Sequence, residues 1–368
     1  MQVDRAELRD FRNYSRAELD LSRSLTVVSG PNGAGKTNLL EAIYFGCTAR
    51  SPRTASEREL VRRGAEVVRV TVDTSAADGR HRLEVGFRPG EPKHIRVDGR
   101  AVETLADAEE RPLVAVFLPE RLELVKGAPA SRRAHLDRLI AALWPARAET
   151  RSAYSRALAQ RNALLGRVKG SVAAATGLDA WDAELGRLGV ALMADRAEAV
   201  DGLREPFACH AETLGLTGRA EVRYRPRSIA PDAATLAAEL GERREADLAR
   251  GFTAHGPHRD EVQLLLDEAA LRTYGSQGQQ RIALLALLFA ERDLLLQLRR
   301  REPLMLLDDV MSELDRARRD LLAALLRERG QALVTTTDPE QVPGAGDGDD
   351  LLLEVEDGGL AACAAGRA

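Results

Sequence analysis

The chain has 368 residues, 44% of them hydrophobic, which is enough to bury a large core and to fill one domain with an insertion or two domains. Lys and Arg (53) against Asp and Glu (57) leave a net charge of −4, so the whole molecule is not basic and affinity for nucleic acid must come from local clustering. Cys47, Cys209 and Cys363 share no metal-ligand or paired spacing, no basic-then-apolar leader precedes the first strand, and the longest apolar run, 282–290, is too short to cross a membrane; these features predict a soluble, cytoplasmic protein with no membrane partner, no disulfides and no metal cluster.

In chain order, residues 3–8 and 17–21 alternate as half-buried strands do, and the apolar run 25–28 reads as a buried strand. It feeds directly into Gly30-Pro31-Asn32-Gly33-Ala34-Gly35-Lys36-Thr37, which satisfies G-x-x-x-x-G-K-[ST] between a strand and a helix predicted over 36–45. The glycines let the backbone curl so that its N–H groups face phosphates, and the helix N-terminus adds partial positive charge. Lys36 is then expected to reach the β- and γ-phosphates of ATP, and the Thr37 hydroxyl to take one position on Mg²⁺. Alternating segments between 67 and 97, broken by Asp78-Gly79 and Pro89-Gly90, predict an antiparallel meander.

From 131 to 250 the texture turns to Ala, Leu, Arg and Glu at helical spacing, and a mainly helical lobe is expected there, inserted into a head formed by 1–130 and 251–368. Residues 131–169 carry nine basic residues, Lys169 among them, against two acids, a net +7; Arg132, Arg133, Arg147 and Arg151 are the candidate contacts to DNA phosphates. Trp181 and Leu185, one turn apart, read as core or helix-pairing residues. His255 and His258 lack a third ligand at metal spacing and read as loop-shaping.

Beyond 251 the pattern becomes strand, long helix (279–300), apolar strand (304–307), helix (316–329) and strand (332–336), which implies a mostly parallel sheet. Asp308 and Asp309 follow the apolar strand at the carboxyl edge of that sheet. Asp308 is expected to hold Mg²⁺ and Asp309 to orient or activate the attacking water. Ser276-Gln277-Gly278-Gln279 resembles the S-G-G-Q signature of ABC ATPases, and Ser276, Gly278 and Gln279 would cradle a γ-phosphate. In that class the cradle belongs to the opposite subunit, so ATP joins two copies. Ser312-Glu313-Leu314-Asp315 looks like the loop that crosses the dimer seam. Thr335-Thr336-Thr337 stands where many ABC proteins have a switch histidine, and a water-mediated contact from Thr336 is the expectation.

Several motifs together resemble the RecF family of bacterial recombination-repair proteins, relatives of chromosome-maintenance ATPase heads. They are 8–14 (Leu-Arg-Asp-Phe-Arg-Asn-Tyr), 117–120 with 124–127 and Arg132-Arg133, 160–165, 178–182, 256–260, 274–280 and 306–315, and they span nearly the whole chain. The resemblance implies an α/β ABC-ATPase head, a phosphate-loop NTPase, with an antiparallel β meander and an inserted helical lobe. It adds Arg12 to the nucleotide-binding set. It implies slow, DNA-dependent hydrolysis of ATP, ATP-induced dimerisation, sequence-independent binding of single-stranded and duplex DNA at gaps, and action with RecO and RecR in loading RecA. Asp309 stands where most ABC proteins have glutamate, as in the RecF family, and the shorter carboxylate suits a timer. A transporter's nucleotide-binding subunit and a non-catalytic ATP-binding scaffold are the two other classes that share part of the pattern.

Overall fold

A computed structural model describes residues 1–105, 108–167, 176–356 and 358–362; Lys169 and Cys363 lie outside them. Two compact units are present. The first comprises 1–121, 213–215 and 295–368, the second 122–212 and 216–294.

The first unit contains two six-stranded sheets. One is antiparallel, with strands β1 (Gln2–Phe11), β2 (Tyr14–Asp20), β4 (Val68–Ala76), β5 (Gly79–Phe87), β6 (His94–Val97) and β7 (Arg100–Ala101) in the order β2-β1-β4-β5-β6-β7. Its inward residues, such as Ala6, Leu8, Val70, Val72, Leu83 and Val85, alternate with exposed polar ones, and that alternation is what made the meander legible. The other sheet is built on β3 (Leu25–Ser29), β8 (Val114–Phe117), β12 (Leu304–Asp308), β13 (Ala332–Thr336), β14 (Leu351–Glu356) and β15 (Gly359–Ala362), in the order β15-β14-β3-β13-β12-β8. All its neighbours are parallel except β14 and β15. β3, β12 and β13 are buried along their whole length, as strands covered on both faces must be. Helix α1 (Lys36–Thr48) packs against strands of both sheets, and Leu39, Leu40, Ile43 and Phe45 join one core with Leu8, Val70, Leu306 and Leu333.

The second unit is mainly helical: α2 (Glu123–Lys126), α3 (Pro129–Leu143), α4 (Ala148–Arg167), α5 (Thr176–Thr213), α6 (Ala233–Glu242), α7 (Arg244–Arg250) and α8 (Leu271–Tyr274), with most of α9 (Gln277–Arg299). α10 (Arg316–Glu328) belongs to the first unit. Leu185 is fully buried in a cluster with Tyr154, Leu188 and Leu240, and Trp181 packs on its flank. The division differs from the boundary expected at 250/251. Strand β9 (Ala220–Arg225) pairs antiparallel with β10 (Glu261–Leu266), which pairs in turn with β11 (Ala269–Ala270), so a cut at 250 would pass through a three-stranded sheet. Among the described residues no helix is long and apolar enough to cross a membrane.

Candidate nucleotide site

The site forms where β3 ends. Gly30 cannot carry a side chain, because a Cβ there would lie 2.3 Å from the Val355 carbonyl oxygen of neighbouring β14. Gly35, at φ 115°, turns the chain into α1. The segment 11–14 braces this turn from outside. Asn13 Nδ2 donates to the Ala34 carbonyl (3.1 Å), the Tyr14 hydroxyl donates to the Gly35 carbonyl (3.0 Å), and Asn38 Nδ2 donates to Asn13 Oδ1 (2.8 Å). Burial pushes the Tyr14 hydroxyl well above its usual pKa, so it remains a donor at every physiological pH.

Lys36 is nearly buried, and its ammonium donates to the Gly30 and Pro31 carbonyls at 2.7 and 3.0 Å. Burial lowers its pKa, opposed by the charges of Asp309 and Asp308. The carboxylates arrive from β12, two strands from β3 with β13 between. The Thr37 hydroxyl lies 2.9 and 2.8 Å from the two Asp308 oxygens, and the Thr335 hydroxyl of β13 donates to Asp308 Oδ1 at 2.6 Å. Asp309 leaves the strand in the left-handed region, φ 47°, held there by its N–H donating to both the carbonyl (3.1 Å) and the hydroxyl (3.0 Å) of Thr335. Its Oδ1 is buried and has no hydrogen-bond partner among the described residues. An unpaired buried carboxylate oxygen is costly, and one on a residue that lines a polar cavity fits a site that takes a ligand. That cavity, about 250 Å³, is lined by Asn32, Gly33, Gly35, Lys36, Thr37, Asn38, Pro119, Asp308 and Asp309.

Thr37 and Asp308 supply hard oxygen donors side by side, the chemistry Mg²⁺ takes, and the ammonium and loop N–H groups suit a polyphosphate. The structure thus brings Lys36, Thr37, Asp308 and Asp309 together as expected. It also adds Thr335 and corrects the expectation for Thr336, whose hydroxyl donates to the Asp338 carbonyl at 2.9 Å, closing a local turn. Side chains alternate along a strand, so only one of the two threonines can reach the acids.

Arg12, expected in the nucleotide-binding set, is not among the residues lining that cavity. Its guanidinium grips buried Glu41 of α1 through two bonds of 3.0 and 2.9 Å, and Ser51 and Arg53 hold the same carboxylate. Asn13 and Tyr14 were visible in the sequence only as part of a motif. Nothing in their spacing says that they brace the phosphate loop.

In the second unit Ser276 caps α9 in a reciprocal box: the Gln279 N–H donates to Ser276 Oγ (3.2 Å), and the Ser276 N–H donates to Gln279 Oε1 (2.8 Å). The Ser276 hydroxyl proton is not used by this cap, Gly278 has open space around it, and Ser276, Gln277 and Gly278 are exposed. In the first unit Ser312 donates to the Asp309 carbonyl (2.9 Å), and Asp315 caps α10 by accepting from the Arg318 N–H (3.0 Å).

The arginines expected to contact DNA are engaged within the protein, Arg132 buried and Arg147 and Arg151 still partly exposed. Arg132 makes a bidentate pair with Glu261 and donates to the Gly127 carbonyl, and Arg133 donates to the Asp260 carbonyl. Arg147 pairs with Asp195 and Glu198, and Arg151 with Asp137. A charge count along the segment does not show these partners, because three of the four acids, Glu261, Asp195 and Glu198, lie outside 131–169. The 255–260 loop proves to be a packing hub. His255 pairs with Glu239 (2.5 Å), and His258 lies between the Tyr154 hydroxyl and the Thr253 carbonyl, both at 2.9 Å. Asp260 accepts from Tyr224, Arg196 and the Arg227 N–H.

The model of the RecF/RecN/SMC N terminal domain family matches residues 2–355. Proteins named DNA replication and repair protein RecF are similar over most of their length. That of Heliobacterium modesticaldum is 39% identical over 363 residues, 94% of this chain and 96% of the relative, and that of Anaeromyxobacter sp. is 41% identical over 362 residues, covering 95% and 96%. A solved structure described as the recombination mediator protein RecF with ATPrS in the RecFOR pathway superposes with a TM-score of 0.87 at 28% identity, covering 98% of both chains. An Smc head, 16% identical over 99% of this chain and 97% of its own, superposes with a TM-score of 0.60 and shares the fold.

Proposed function

The chain belongs to the RecF family, and from that membership we propose that it is an ATP-driven switch that binds DNA during recombinational repair. One observation carries the chemistry: the Thr37 and Thr335 hydroxyls converge on Asp308 beside the unpaired, buried Oδ1 of Asp309. In this reading Gly30 to Thr37 wrap the phosphates, and Lys36 exchanges its two loop carbonyls for phosphate oxygens. Thr37 and Asp308 hold Mg²⁺, which when bound supplies a Lewis acid for the developing charge. Asp309 presents a fixed acceptor to water.

A second copy contributes Ser276, Gly278 and Gln279; the exposure of Ser276 and Gly278 and the hydroxyl proton that the cap leaves unused support the reading. Hydrolysis is slow because an aspartate is one methylene shorter than the usual glutamate. Sequence-independent contact to single-stranded and duplex DNA at gaps, action with RecO and RecR to load RecA, and a cytoplasmic location are proposed on the same family ground.

Light scattering with ATP, with ADP and without nucleotide tests the reading, with Ser276→Arg as control. The expected outcome is a dimer with ATP alone, absent in the variant. A chain that stays monomeric at high concentration with unhydrolysed ATP bound overturns the two-copy mechanism.

A further inference from the structure

Strand register puts like charges side by side on the solvent face of the antiparallel sheet. Arg9 on β1 stands directly opposite Arg16 of β2 on one side and Arg69 of β4 on the other. The same transverse row runs on through Gly86 of β5 to His94 of β6. Arg9, Arg16, Arg69 and His94 are exposed, whereas their sequence neighbours Leu8, Ala17, Val70 and Ile95 are buried, so the row occupies one face.

Like charges directly opposite one another destabilise an antiparallel pair. Elsewhere on this face the register avoids that: Arg5 faces Asp20 and Asp73, Asp73 faces Arg82, and Glu84 faces Arg96. Glu7 does face Glu18, but Arg5 lies within ion-pair distance of both, and Arg16 pairs with Glu18 at 2.5 Å. Arg9 and Arg69 have no such relief. Among the described residues neither forms an ion pair or a side-chain hydrogen bond.

Arg16 is partly neutralised by Glu18 and His94 lies 3.8 Å from Glu91, but the Arg9–Arg69 pair at the centre of the row costs the sheet stability and has no internal counter-charge, which points to an external one. Strands lie roughly 4.8 Å apart, so Arg16, Arg9 and Arg69 on three adjacent strands offer cations at a short step on flexible stems. Phosphates along one nucleic-acid strand advance by roughly 3.4 Å of helix axis each, within reach of that ladder. Gly86 fits the same purpose. A Cβ there would meet nothing closer than 3.8 Å, so packing does not require glycine, and its bare backbone leaves a gap for close approach between Arg69 and His94.

We propose that the unpaired Arg9 and Arg69, flanked in the same row by Arg16 and, across the Gly86 gap, by His94, are a contact surface for the phosphate backbone of DNA. It positions the strand without reading bases, as contacts to phosphate oxygens do. The proposal rests on the reading of this chain as a DNA-binding protein and names a surface for it in place of the internally paired arginines of 131–169. Arg9 and Arg69 do not line the nucleotide cavity.

The test uses the full chain with ATP and Mg²⁺, titrating labelled single-stranded and duplex oligonucleotides over a salt series. For the double variant Arg9→Gln with Arg69→Gln, affinity at low salt is expected to fall about tenfold or more. The slope of log affinity against log salt should shrink by about 1.8 on duplex and about 1.4 on single strands, two contacts' worth. Thermal stability should hold or rise as the repulsion is relieved, and ATP turnover without DNA should not change. Arg69→Gln alone, expected to remove half the slope change, serves if the double variant folds poorly. A wild type that binds DNA while the variants bind equally, with an unchanged slope, overturns the surface alone. A wild type that binds neither oligonucleotide overturns the functional reading and the surface with it.

Discussion

At the residue scale, Thr335 and its neighbour Thr336 do different things. Thr335 bonds the Asp308 carboxylate and fixes the left-handed backbone of Asp309, whereas Thr336 closes a turn with Asp338. A hydrogen bond to a charged acceptor contributes about 1.5–3 kcal/mol. Thr335→Val, isosteric but without the hydroxyl, is therefore expected to lower ATP turnover on the order of ten- to a hundredfold with a smaller change in ATP affinity. Thr336→Val should leave turnover per bound ATP unchanged and cost roughly 1 kcal/mol of stability in denaturant titration. Equal losses of turnover in the two variants would refute the assignment.

At the scale of elements, the second unit is tied by charges rather than by apolar packing alone. Arg161 of α4 is fully buried and holds Asp182 of α5 and Asp247 of α7, each at 2.7 Å, with the Thr253 hydroxyl at 2.8 Å. Removing one member of a buried pair leaves uncompensated charge and typically costs about 3–5 kcal/mol. Arg161→Met is expected to destabilise by that order. Adding Asp182→Asn and Asp247→Asn should restore part of the loss, and calorimetry of the single and triple variants checks both statements. If the triple variant proved less stable than the single one, the ion cluster would not be the source of the effect.

At the scale of the whole molecule, pH dependence follows from the same unit. Burial lowers the His258 pKa to about 4, and its Thr253 contact fixes Nε2 as the protonated nitrogen and Nδ1 as acceptor from Tyr154. An unfolded histidine titrates near 6.5, so between these values the unfolded chain binds a proton that the folded chain refuses. Stability from this group is present in full above about pH 6.5 and declines as pH falls towards 4, by on the order of 3 kcal/mol. Denaturant midpoints measured from pH 7.5 to 4.5 should fall less steeply in His258→Gln than in the wild type. Parallel curves would exclude His258 as a source of acid sensitivity. At this scale, too, similarity to RecF proteins over more than nine-tenths of the chain removes the ground for the transporter-subunit alternative.

The sequence by itself determined the features whose causes are local. These are the phosphate loop, set by glycines and a lysine at fixed spacing; the meander, set by alternation and Asp-Gly turns; and the acidic strand end. Tertiary structure alone decided everything that depends on which distant residues meet. Whether Arg132 and Arg147 face DNA or Glu261 and Asp195 is a matter of helix packing, and no count along the chain can supply it. The pairing of β9 with β10, which moves 251–294 into the second unit, joins strands separated by two helices. The alignment of Arg16, Arg9 and Arg69 arises from register across three strands, a long-range property invisible in any one of them.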